Sequence, residues 1–106
     1  MLGTKSIVEV ARLSELQERT GRLITIGSLE IALFKTSHGT VRALQNKSPH
    51  PKGGTLVDGL VSGEFVFCPL YDWKISLIDG KVQAPDSGMV KVYEIETLED
   101  KIFILL

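Results

Sequence analysis

Apolar and polar positions alternate along the chain in short runs, and helical spacing never persists beyond about two turns, a pattern that predicts strands. Ser6-Ile-Val-Glu-Val10 alternates as an edge strand would. Leu13 and Leu16 suit a single helical turn covering one end of the core. Arg22–Ile26 and Leu29–Lys35 flank Gly27-Ser28, and a glycine first in a two-residue connection predicts a type II′ hairpin. Ser37-His38-Gly39 turns the chain into Thr40–Leu44. The pattern then breaks from Gln45 to Gly63. Asn46-Lys-Ser-Pro-His-Pro-Lys-Gly-Gly54 holds two prolines and two glycines, too many for a strand interior.

Strand character returns in Glu64-Phe-Val-Phe-Cys68 and breaks again at Pro69-Leu-Tyr-Asp-Trp73. Lys74–Leu77, Asp79-Gly80 and Lys81-Val82 read as a hairpin, Ala84–Gly88 as a loop, and Val92–Glu96 and Lys101–Leu105 as a closing pair of strands. About nine short strands with two irregular loops between them predict an all-β sandwich or small barrel. No linker, repeat or low-complexity segment divides residues 1–106, so one domain is expected.

Composition removes several function classes. A net charge of −1, with twelve Lys and Arg that never form a run, argues against a phosphate-binding surface. No apolar stretch approaches the ~18–20 residues that span a bilayer. Met1–Glu9 lacks the basic start and apolar centre of a signal peptide, so a cytoplasmic location is expected. A single cysteine, Cys68, makes no internal disulfide and fits a reducing compartment. It also excludes a four-cysteine cluster site built by one chain.

The two loops carry the specific signal. The first, at about 45–56, contains Ser48-Pro49-His50 and then Gly53-Gly54-Thr55-Leu56; the second, at 68–73, reads Cys68-Pro69-Leu70-Tyr71-Asp72-Trp73. Seventeen residues separate His50 from Cys68. The arrangement resembles the Rieske signature, Cys-x-His in one loop and Cys-x-x-His in the next. Asn46 before the first ligand position, Gly-Gly-x-Leu after the histidine and Trp73 beyond the last ligand position are also habits of that family. The resemblance runs from Ser6 to the final strand and implies a Rieske-like β-sandwich with two cluster-type loops inserted between strands.

Carried over by position, Ser48 stands at the first cysteine, His50 at the first histidine, Cys68 at the second cysteine and Tyr71 at the second histidine. A Rieske centre puts two Cys on one iron and two His on the other. Each iron would therefore keep one of its two protein anchors. A hydroxyl binds iron only when deprotonated, and a phenol in water holds its proton to about pH 10. The resemblance thus implies a degenerate site that holds no [2Fe-2S] cluster. Cys-Pro-Leu-Tyr-Asp-Trp-Lys-Ile-Ser, Gln83-Ala-Pro-Asp-Ser-Gly88 with Val90-Lys-x-Tyr93, and Gly21–Gly27 leading into Glu30–Phe34 look like the small subunits of assimilatory NAD(P)H-dependent nitrite reductases. That likeness implies a cytosolic, non-catalytic partner in nitrate assimilation. In that family the large subunit carries FAD, a [4Fe-4S] cluster and sirohaem and reduces nitrite to ammonium.

Read for themselves, the residues suggest plainer roles. His50 alone is a loop histidine bonded to nearby backbone, and Cys68 at the end of an apolar strand is a small buried hydrophobe. Tyr71 fills the space of the missing imidazole, Trp73 anchors the second loop to the core, and Gly53 and Gly54 serve backbone turns with positive φ. Ser48 and His50 with an Asp invite a triad, but the Ser-Pro-His loop offers no oxyanion element. The loops remain as a docking surface of Pro49, His50, Lys52, Tyr71 and Trp73, stiffened by Pro49, Pro51 and Pro69. The alternatives are an electron-transfer ferredoxin with unusual ligation and a stand-alone β module that binds an unrelated protein.

Overall fold

The computed structural model describes residues 6–106; the expectation for the start of the chain falls partly on Met1–Lys5, outside the described residues. Within them lie nine strands and one short 3-10 turn. These are β1 Ile7–Arg12, β2 Thr20–Ile26, β3 Leu29–Lys35, β4 Val41–Gln45, β5 Leu60–Ser62, β6 Phe65–Phe67, β7 Lys74–Ser76, β8 Val92–Leu98 and β9 Lys101–Leu105, with the turn at Leu13–Glu15. A six-stranded antiparallel sheet runs β1-β9-β8-β4-β3-β2, and a three-stranded sheet runs β5-β6-β7. The all-β architecture is as the alternation along the chain implied, with the two irregular loops set between strands.

β3 explains how the layers fit together. Its residues Ile31-Ala-Leu-Phe34 are buried on both faces. Ala32 and Phe34 join Leu44, Leu56, Val61, Val66, Cys68 and Ile75 in the core beneath the small sheet. Ile31 and Leu33 point the other way, into a second core with Ile24, Ala43, Tyr93, Ile102 and Ile104. The large sheet therefore curls back on itself, bringing β9 over β3. β4, like β3, serves both cores, Leu44 in the first and Ala43 in the second, while β2 and β9 supply one-sided faces. β1 is an edge strand as expected, and its register slips between Glu9 and Ala11, a bulge that twists an exposed edge.

Two segments differ from the sequence reading. β5 lies inside the stretch read as irregular, because three residues between Gly59 and Gly63 give too short an alternation to register as a strand. Lys81-Val82 makes only isolated bridges, Ile75 to Val82 and Lys81 to Met89, in place of a full hairpin arm. The β2–β3 hairpin has Ile26 opposite Leu29 and Gly27 at φ +60°, the positive φ expected first in a two-residue connection. Leu13–Glu15 makes the expected single turn and buries Leu16 after it.

Asp100, in the β8–β9 turn, ties this turn down. Its carboxylate accepts from Ser14 Oγ at 2.6 Å and from the Ser14 amide at 2.9 Å, and its own carbonyl accepts from the Leu13 amide at 2.8 Å. The Ser14 hydroxyl, then its amide, hold the Asp100 carboxyl below its ordinary value of 3.8. A depressed carboxyl pKa stabilises the fold above the unfolded value, and that contribution is lost as pH falls through the folded one. Thermal melts should therefore show a loss of stability below about pH 4 that is smaller in Ser14→Ala; an identical acid slope in both proteins would count against this tie.

Candidate functional site

The two inserted loops, 46–59 between β4 and β5 and 68–73 between β6 and β7, meet at one end of the sandwich. The first is shaped from beneath by Asn46. Its side chain is buried, and Oδ1 accepts from the amides of Leu56 and Val57, each at 2.9 Å. This closes the loop ten residues after it leaves β4. Above that clamp, the Ser48 amide donates to Gly54 O at 2.9 Å and the Gly53 amide to His50 O at 2.8 Å. Gly53 and Gly54 sit at φ +80° and +110°, as expected, and a side chain at Gly54 would press on Leu70 of the second loop.

All four family ligand positions come together. Ser48 and Cys68 are each only 1% exposed, and the Cys68 thiol donates to Ser48 Oγ at 3.2 Å. His50 and Tyr71 stack with ring centroids 3.9 Å apart and planes 8° from parallel. Trp73 meets His50 edge-on at 4.7 Å and is partly buried against the core beneath the small sheet. The second loop is closed by the Cys68 amide donating to Trp73 O at 2.9 Å, and Tyr71 and Asp72 turn it with φ of +66° and +54°.

The chemistry of this set is limited. Ser48 Oγ also accepts from the His50 amide at 3.2 Å, while His50 Nδ1 accepts from the Lys52 amide at 3.0 Å. The imidazole thus faces its own loop and a tyrosine ring, not the serine hydroxyl, so no nucleophile–base pair forms. His50 is the backbone-bonded loop histidine that its isolation suggested. Among the described residues no three His, Cys, Asp or Glu side chains gather into a group able to hold a metal ion.

The donor set does not fit a Rieske [2Fe-2S] centre. One thiol and one imidazole stand where two of each are needed, and the two remaining positions offer a buried hydroxyl and a stacked phenol ring. Ser48 contacts Cys68, and Tyr71 contacts His50.

The tip presents a mixed face outward, exposed Leu70 and Tyr71 beside exposed Lys47, Lys52 and Asp72. Tyr71 is 51% exposed and Leu70 53%, so the tyrosine packs on His50 with one face and leaves the other to solvent. Met89, 67% exposed, borders the same groove as Pro49, His50 and Pro51. Lys52 lies exposed beside them. The sequence pointed to Pro49, His50, Lys52, Tyr71 and Trp73, and the structure brings these to one end. It missed Leu70 and Met89: Leu70 could have been noticed as an apolar residue in a tight turn, whereas Met89 is brought in by the 84–88 loop and left no local signal.

Comparison with known proteins agrees with the geometry. A family model described as the Rieske-like [2Fe-2S] domain matches residues 6–105. No curated protein matches the chain. Among solved structures, a Mycobacterium tuberculosis protein assigned as the small subunit of an NADH-dependent nitrite reductase superposes with a TM-score of 0.86 at 22% identity, covering 98% of this chain and 97% of its own. The E. coli protein NirD gives 0.83 at 23% identity over 96% and 97%. The ferredoxin of carbazole 1,9a-dioxygenase from Nocardioides aromaticivorans gives 0.84 at 20% identity over 93% and 96%. At these identities the likeness speaks for the fold.

Proposed function

The chain belongs to the Rieske-like [2Fe-2S] domain family, and within that family we propose that it is a non-catalytic small subunit of a cytosolic NAD(P)H-dependent nitrite reductase. In this reading it holds no cluster, and it acts by docking its loop tip onto the large subunit that carries FAD, the [4Fe-4S] cluster and sirohaem. The observation that carries the reading is the pair of contacts that replace ligands, Ser48 on Cys68 and Tyr71 on His50. In this reading they stand in place of two of four anchors while keeping the two loops in contact. Nitrite reductase small subunits of the same fold, and the Cys-Pro-Leu-Tyr-Asp-Trp loop, support the choice of partner.

The ferredoxin of carbazole dioxygenase superposes about as well, so an electron carrier with unusual ligation is the reading to be separated. Purification without oxygen separates them. The subunit reading expects a colourless protein with less than about a tenth of an iron per chain, where a cluster would bring about two. A brown preparation with stoichiometric iron and sulfide would make the chain a carrier. Failure to co-purify with a co-expressed sirohaem-type large subunit would instead favour a stand-alone binding module.

A further inference from the structure

We infer that the free edge of β2 is a self-association surface, where a second copy of this chain pairs antiparallel across a two-fold axis at Leu23. The inference does not involve the loop tip or the partner proposed for it. An open strand edge is a row of unpaired amides and carbonyls, and folded chains guard such rows with bulges, charges, proline or shortness. Among the described residues, three of the four sheet edges are guarded. β1 carries a bulge together with Glu9 and Arg12, β5 is three residues long, and β7 is equally short and bridged through Ile75 to Val82. β2 is the exception. Its seven residues, Thr-Gly-Arg-Leu-Ile-Thr-Ile, pair one to one with β3 without a bulge and include no proline and no lysine. Its one charge, Arg22, is held by Glu15, with Nη1 3.7 Å from Oε1.

The hydrogen bonds of β3 fix which residues of β2 face outward. The Thr36 amide donates to Thr40 O and the Asn46 amide to Glu30 O, so even-numbered residues of β3 bond β4 and odd-numbered ones bond β2. The latter stand opposite Thr20, Arg22, Ile24 and Ile26. Gly21, Leu23 and Thr25 therefore aim their backbone groups away from the sheet, and Leu23 is 47% exposed. A two-fold at the middle one sets Leu23 against its counterpart and Gly21 against Thr25, so all three outward residues pair in both copies. The exposed leucines then meet, and Arg22 falls opposite Ile24 rather than another charge. The edge is thus complementary to itself, and a net charge of −1 sets up little repulsion between copies. The Asn46–Glu30 bond places the hairpin end of β2 beside the first loop, so antiparallel pairing points the two loop tips in opposite directions and leaves both free.

Sedimentation equilibrium of the whole chain tests this. A single strand pair is a small contact, and wild type should dimerise with a Kd of about 30 µM, so that at about 100 µM most chains are paired. Leu23→Lys sets two ammonium groups against each other, and Thr25→Pro removes an outward donor without touching the ladder to β3. Each should raise the Kd at least about tenfold. Circular dichroism checks that both fold. Leu23→Cys adds one exposed thiol to a chain whose own Cys68 is buried. Under mild oxidation it should give a disulfide-linked dimer, since directly paired strands bring Cα atoms to about 5.5 Å. A wild type that stays monomeric at about 100 µM overturns the inference, as does a dimer whose Kd neither folded variant changes. Should both variants fail to fold, the absence of a cross-link in Leu23→Cys overturns it.

Discussion

Replacing Asn46 with alanine is expected to destabilise the fold by about 2–5 kcal/mol, the largest single-residue effect outside the hydrophobic core. Oδ1 is the acceptor for two amides at once, those of Leu56 and Val57, both at 2.9 Å. Truncation leaves both without that acceptor, next to a Leu56 side chain that is fully buried. A buried amide without a partner costs about 1–3 kcal/mol, far more than the net gain of an ordinary hydrogen bond. For a chain of this size that corresponds to a Tm lower by at least roughly 8 °C. Asn46→Asp keeps an acceptor in place and should lose distinctly less at neutral pH. Thermal melts of the three proteins decide the point; a Tm for Asn46→Ala within about 2 °C of wild type would show that the loop finds other acceptors.

The clamp also accounts for the order of the tip. Fourteen residues lie between β4 and β5, a stretch that would be poorly constrained without internal ties. Here the constraint is spread over the Asn46 bonds, the Ser48–Gly54 and His50–Gly53 backbone bonds and the two inter-loop contacts. Each is modest, yet together they fix the loop at both ends and at its crest. The prolines add stiffness by narrowing the unfolded ensemble.

How much of this was legible in the sequence depended on how local the signal was. β9 appears with the bounds read from Lys101–Leu105, and the β2–β3 hairpin follows from a two-residue connection, because both are set by neighbours in the chain. The loop positions were legible because prolines and paired glycines break a strand pattern for covalent reasons. β5 was not, since its three residues become a strand only by pairing with β6, with Val61 opposite Val66. Asn46 could be noticed as a family habit, but its role depends on amides ten and eleven residues away. The stacking of Tyr71 on His50 was likewise beyond reach: it needs the left-handed turn at 71–72, which two non-glycine residues do not advertise.

Tyr71→Ala should weaken binding of the purified large subunit by about thirtyfold or more, the scale of a hot-spot residue worth 2 kcal/mol. One face of the Tyr71 ring is already fixed on His50, so little rotamer freedom remains to be lost on binding. The other face is open to solvent beside exposed Leu70. A rigid aromatic beside an exposed leucine is an arrangement that hot spots favour. Lys52→Ala, at the rim, should act more on association rate and salt dependence than on affinity, a change of about two- to fivefold. Trp73 is a poorer probe because it also packs on the core, so its truncation mixes folding with binding. Leu98→Ala serves as the control: Leu98, at 64%, is more exposed than Leu70 or Tyr71, but lies where β8 turns into β9, at the opposite end of β8 from Val92, which pairs with Leu44 just before the first loop. Titration calorimetry of the three variants against one large subunit would read the result. Should Leu98→Ala weaken the complex while Tyr71→Ala leaves it intact, the partner sits on the other end of the sandwich and the proposed docking through the loop tip is wrong.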